Sequence, residues 1–103
     1  AKKTEGERIS AFLEKRPESY VIILDERGKK YSSPSFAQHL EKITQPIIFI
    51  IGGSLGIDER VVQQYKNTIS LSDMTFPHEM ARMVLVEQIY RVVTILKEKE
   101  YHH

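Results

Sequence analysis

Pro46-Ile47-Ile48-Phe49-Ile50-Ile51-Gly52-Gly53-Ser54-Leu55-Gly56 is the stretch on which the fold turns. Ile47–Ile51 is an unbroken run of β-branched and aromatic residues, the pattern of a strand covered on both faces. Pro46 leads into the run and the glycines end it abruptly. Working outward, Tyr20–Leu24 is a second apolar run behind a polar turn, and Thr68–Leu71 is a third, shorter one. Ser33-Pro34 between the first two predicts a helix start, with the serine as N-cap and the proline at the first helical position. Phe36, Ala37, Leu40 and Ile43 follow at helical spacing. Asp58 is placed to cap a short helix whose inner face is Val61, Val62 and Tyr65. At the start of the chain Thr4 and Glu7 have capping-box spacing, and Ile9, Phe12 and Leu13 form one stripe that runs to about Arg16, before Pro17. A last helix is expected from about Phe76 to Lys97.

The order is a helix, then strand and helix three times. Such alternation predicts an α/β domain, a parallel sheet with flanking helices, in which ligands sit at the carboxyl ends of the strands. The segments Asp25–Gly28, Gly52–Gly56 and Ser72–Pro77 should therefore open on one edge. Glycines directly after a buried strand let the main chain approach a ligand and present its N–H groups. Gly52–Gly56 matches neither the dinucleotide fingerprint nor the P-loop, whose lysine it lacks, and taken alone it is better read as a plain tight turn. The last helix is apolar almost all the way round, through Met80, Ala81, Met83 to Val86, Ile89, Tyr90, Val92, Val93, Ile95 and Leu96. Its continuous polar stripe is Glu87, Arg91 and Thr94, with Glu87 and Arg91 at ion-pair spacing. A helix so apolar is buried on more than one side, so a homodimer through this helix is expected.

Residues 1–103 are enough for one domain, and the apolar share of 41% and charged share of 28% are those of an ordinary globular chain. No cysteine is present, which excludes disulfides and thiolate metal sites and fits a reducing cytoplasm, where the chain is expected to act. The apolar runs are too short to span a bilayer, so no membrane association is expected. His78 beside Glu79 lacks the second histidine of a helical zinc site, and no metal is expected. Ser54, Ser70 and Ser72 lack the setting of a nucleophile elbow. The net charge of +1 neither requires nor excludes nucleic acid. If RNA binds, affinity must come from a local cluster, an assembled dimer or a structured target.

Phe49–Gly56, then Leu71-Ser-Asp-Met-Thr-Phe-Pro-His78, then Glu87-Gln-Ile-Tyr-Arg91 and a terminal Tyr101-His102 together resemble the RlmH family. Its members are SPOUT-class methyltransferases that act on N3 of a pseudouridine in large-subunit (23S-type) ribosomal RNA. Leu24–Gly28 is similar to the loop after an earlier strand of that family. The resemblance runs from about Glu18 to His103. It implies a SPOUT-type fold with a C-terminal trefoil knot, the chain near Leu71–His78 threading through the loop made by the preceding segment. It also implies S-adenosylmethionine, held largely by main-chain groups at Leu24, Gly52, Gly53, Leu71, Ser72, Asp73, Met74, Thr75 and Phe76. These positions fall on the edge reached above from the strand order alone.

The family likewise implies a site lined by His78, Arg91, Tyr101 and His103. The acceptor nitrogen carries a proton, so a base or an electrostatic helper is needed. Which of the four takes the proton stays open, and for Arg91 a helix ion pair with Glu87 is an equally good reading. The expected partners are a second copy of the chain and ribosomal RNA in the assembled ribosome. Full-length relatives begin with a further strand and a long helix that this sequence lacks, so a shortened member is expected. A second reading is therefore a non-catalytic knotted domain that binds cofactor or serves as a dimeric interaction module.

Overall fold

The computed structural model describes residues 2–52, 57–72, 74 and 76–101, with side chains from 4 to 98 among these. Seven elements follow in chain order: α1 (Lys2–Glu14), β1 (Tyr20–Lys30), α2 (Ser33–Glu41), β2 (Ile47–Ile51), α3 (Glu59–Gln64), β3 (Thr68–Ser70) and α4 (His78–Tyr101). The three strands form one sheet in the order β2-β1-β3, and both pairings are parallel. Tyr20 to Leu24 pair in step with Ile47 to Ile51. The expected α/β architecture is therefore present.

Strand order decides which face each helix covers. The step from β1 to β2 goes one way across the sheet, and the step from β2 to β3 returns past β1. Right-handed crossovers then put α2 and α3 on opposite faces. The packing agrees, since α2 rests against α4 and α1 against α3. Successive residues of β1 divide between the two cores, as a period of two requires. Ile22 and Leu24 pack with Phe36, Ala37, Ile69, Leu85 and Val92 on the α2/α4 face. Val21 and Ile23 pack with Leu13, Ile57 and Val61 on the α1/α3 face. Ile22 and Ile23 are both fully buried, and each contributes about 1.5–3 kcal/mol by leaving water.

Several local expectations are corrected. Thr4 is not an N-cap, because α1 already runs from Lys2. The cap of α2 is Ser32 rather than Ser33: its Oγ accepts the Ser35 N–H at 3.2 Å, which moves Pro34 to the second helical position. Asp58 caps α3 as expected, accepting the Arg60 N–H at 2.9 Å. Asp25–Gly28 is not a separate loop. It lies within β1 as an irregularity, so that Leu24 and Lys29 both oppose Ile69 of β3. β3 ends at Ser70, whose hydroxyl donates to the Ser72 carbonyl at 2.7 Å and turns the chain. α4 starts two residues later than expected, where the Pro77 carbonyl accepts the Ala81 N–H, and it continues to Tyr101 because no breaker follows Lys97. The threading expected near Leu71–His78 involves Asp73 and Thr75, which lie outside the described residues.

α4 has two unlike faces. Leu85 and Val92 are buried, with Ile89, Ile95 and Leu96 packed around them. Met83 is 72% exposed and Tyr90 70%, and Met80, Val86 and Val93 are exposed beside them. No helix among the described residues is long and apolar enough to cross a membrane.

Candidate functional site at the carboxyl edge of the sheet

β2 ends beside the middle of β1, because Leu24 pairs with Ile51 and Gly52 follows directly. β3 joins the same edge through Leu24 and Ile69. Leu24 is buried, and Leu71 and Phe76 are half-buried. Ser72 is half-buried and its Oγ accepts the Met74 N–H at 3.0 Å, while the Met74 side chain is exposed. The structure thus brings Leu24, Gly52, Leu71 and Ser72 to one edge, and Phe76 stands two residues before His78. Gly53, Asp73 and Thr75, also expected there, lie outside the described residues.

His78 is the first residue of α4, and its Nδ1 lies 2.8 Å from the Gly52 carbonyl oxygen. This bond ties the start of α4 to the end of β2 and so joins two of the three expected segments. Arg91 is elsewhere. It lies thirteen residues along α4 from His78, about 20 Å at the rise of an α-helix. Its Nε donates to Glu87 Oε1 at 2.6 Å, with the Arg91 side chain 59% exposed. Within one chain Arg91 and His78 are therefore apart, and the Glu87 ion pair read from the spacing is present. The side chain of Tyr101 and the whole of His103 lie outside the described residues.

Two residues emerge that the sequence did not single out. Arg27 forks onto Asp25, with Nε to Oδ1 at 2.9 Å and Nη2 to Oδ2 at 3.1 Å, while the Asp25 side chain also accepts the Arg27 main-chain N–H. Its Nη1 reaches Glu59 Oε2 in the first turn of α3 at 2.9 Å. The hydrogen bonds to Asp25 and then Glu59 raise the arginine pKa above its ordinary value, so the guanidinium stays charged. The Asp-x-Arg spacing signals the local fork, but no local pattern could have named Glu59. Gly28 beside them runs against β3 so closely that a Cβ would stand 2.6 Å from the Ile69 nitrogen. Only glycine allows that approach.

An open groove of about 840 Å³ runs along α4, lined by Glu79, Arg82, Met83, Val86, Glu87 and Tyr90. It belongs to the exposed face of the helix rather than to the sheet edge. Among the described residues no group of three or more His, Asp or Glu side chains gathers in a way that could hold a metal ion.

Residues 1–102 match the model of a family described as predicted SPOUT methyltransferases. The chain is 42% identical to a protein of Parabacteroides distasonis named ribosomal RNA large subunit methyltransferase H, over 99% of this chain and 66% of that protein. A protein of the same name from Desulfovibrio desulfuricans is 46% identical over 96% of this chain and 64% of its own length. One from Christiangramia forsetii is 42% identical over 99% and 66%. The chain thus spans just under two thirds of the length of these relatives.

Proposed function

The chain belongs to the SPOUT methyltransferase family, and from that premise we propose that it methylates N3 of a pseudouridine in large-subunit ribosomal RNA, using S-adenosylmethionine. The observation that carries this reading is the meeting of Leu24, the end of β2 at Gly52 and the start of α4, where His78 is bonded to Gly52. The residues there suit the cofactor. Leu24, Leu71 and Phe76 offer apolar walls, half-buried or better, for an adenine ring. Main-chain groups at Gly52 and from Leu71 to Phe76 would make the polar contacts to its edge. Gly53, Ser72, Asp73, Met74 and Thr75 complete the set that would hold it. When bound, S-adenosylmethionine supplies a methyl group on a positively charged sulfur, already a strong electrophile.

The remaining work falls to the chain and consists mainly of positioning. The acceptor nitrogen must lose its proton, and His78, Arg91, Tyr101 and His103 are the groups assigned to that end of the site. A homodimer through α4 completes the reading. Met83, Val86, Tyr90 and Val93 are exposed at spacings of three, four and three, the seam by which a helix packs on a like helix. The separation of Arg91 from His78 in one chain gives such a dimer a chemical purpose, since a second copy can supply a cation that the first holds too far away. No metal takes part, and the setting is the cytoplasm.

Transfer of labelled methyl from S-adenosylmethionine to assembled ribosomes, compared with free ribosomal RNA, tests the proposal. Label in the large-subunit RNA, with assembled ribosomes preferred, is the expected result. The same separation of Arg91 from His78 also favours a second reading, a domain that binds the cofactor without methylating RNA. Cofactor binding without label transfer to either substrate would decide for it.

A further inference from the structure

β2 and β3 are the outer strands of the sheet, with β1 between them. The segment between β3 and α4 therefore starts on one side of β1 and ends, at His78, beside β2 on the other; His78 Nδ1 lies 2.8 Å from the Gly52 carbonyl oxygen. A carbonyl only accepts, so Nδ1 carries the hydrogen and donates it. In the neutral ring the same assignment leaves Nε2 as an acceptor. The near end of the segment is held separately, by the Ser70 hydroxyl on the Ser72 carbonyl and the Met74 N–H on the Ser72 hydroxyl. Beyond His78 the chain is fixed by the first turn of α4, where the Pro77 carbonyl accepts the Ala81 N–H.

We infer that His78 is a positioning residue: its Nδ1–H bond to the Gly52 carbonyl latches the start of α4 to the end of β2 and so sets the shape of the cofactor pocket. The inference rests on the cofactor reading proposed above, and it holds whichever group removes the acceptor proton. Solvent reaches this bond, so it contributes little to global stability. Its effect is local, because it fixes one end of a short connection whose other end is held at Ser70 and Ser72.

Side-chain geometry supplies the test. Asparagine carries an N–H at the distance from Cβ of Nδ1, whereas glutamine carries one at the distance of Nε2. Wild type, His78→Asn, His78→Gln and His78→Ala are titrated calorimetrically with S-adenosylhomocysteine. The latch predicts that Asn binds within about twofold of wild type, while Gln and Ala bind roughly five- to tenfold more weakly. Urea midpoints should be nearly equal for all four. The inference is overturned if Asn falls to the level of Ala, or if all three variants bind like wild type. If wild type itself does not bind, the cofactor reading fails and the latch is judged separately. The ¹⁵N spectrum of the neutral His78 ring supports it with the proton on Nδ1 and overturns it with the proton on Nε2.

Discussion

Arg27 and Glu59 stand 32 residues apart in sequence, yet their side chains meet at 2.9 Å and fasten β1 to the first turn of α3. Asp25 holds the other side of the same guanidinium, so three charged groups brace the two segments that flank the Gly52 end of the site. The Arg27 and Glu59 side chains are both more than half exposed, and a pair of that kind adds little to global stability. Its consequence should therefore appear in ligand affinity. Arg27→Ala and Glu59→Ala are each expected to weaken S-adenosylhomocysteine binding roughly two- to fivefold at low salt. The double variant should lose no more than either single one. Raising salt to about 0.5 M should bring wild type down toward the variants, since screening acts on the pair itself. Equal losses at both salt concentrations would separate Arg27 from this role.

Gly28 has no room for a side chain. A Cβ there would meet the Ile69 nitrogen and the Thr68 carbonyl carbon, both at 2.6 Å, and neither main-chain atom can swing aside. Gly28→Ala is expected to lower unfolding free energy by about 1–3 kcal/mol, toward the upper end because the obstacle is backbone. Urea denaturation gives the value. A variant as stable as wild type would show that β1 and β3 do not pair past Leu24 as described.

The seam on α4 predicts the oligomeric state. Wild type should sediment at twice the 12.0 kDa mass of the chain at micromolar concentration. Tyr90→Glu places a charge in the middle of the exposed apolar row and should raise the dimer dissociation constant by about a hundredfold or more. The fold should survive, because Tyr90 faces away from the buried Leu85 and Val92. A monomeric wild type, or a Tyr90→Glu variant that stays dimeric, would contradict the seam.

What could be read in advance was what depends on neighbours in sequence. The apolar runs Tyr20–Leu24 and Ile47–Ile51 announced β1 and β2, because a doubly covered strand needs apolar residues at every position, and their side chains divide between the two faces as expected. Asp58 announced its cap. The two faces of α4 were legible as one apolar excess but not as a buried row and an exposed row, since its partners Ala37 and Ile22 come from other elements. The bonds that assemble the edge, Arg27 with Glu59 and His78 with Gly52, join residues 32 and 26 positions apart. Nothing in the local pattern marks such partners. The irregularity at Asp25–Gly28 was hidden for a related reason: its polar residues look like a loop, and only pairing with Ile69 makes them part of β1.

Whether this edge is an S-adenosyl site is decided by calorimetric titration of the wild-type chain with S-adenosylmethionine, S-adenosylhomocysteine and a nicotinamide dinucleotide. The first two should bind saturably at one site per chain and the third not at all. Failure of both S-adenosyl compounds to bind would contradict that assignment.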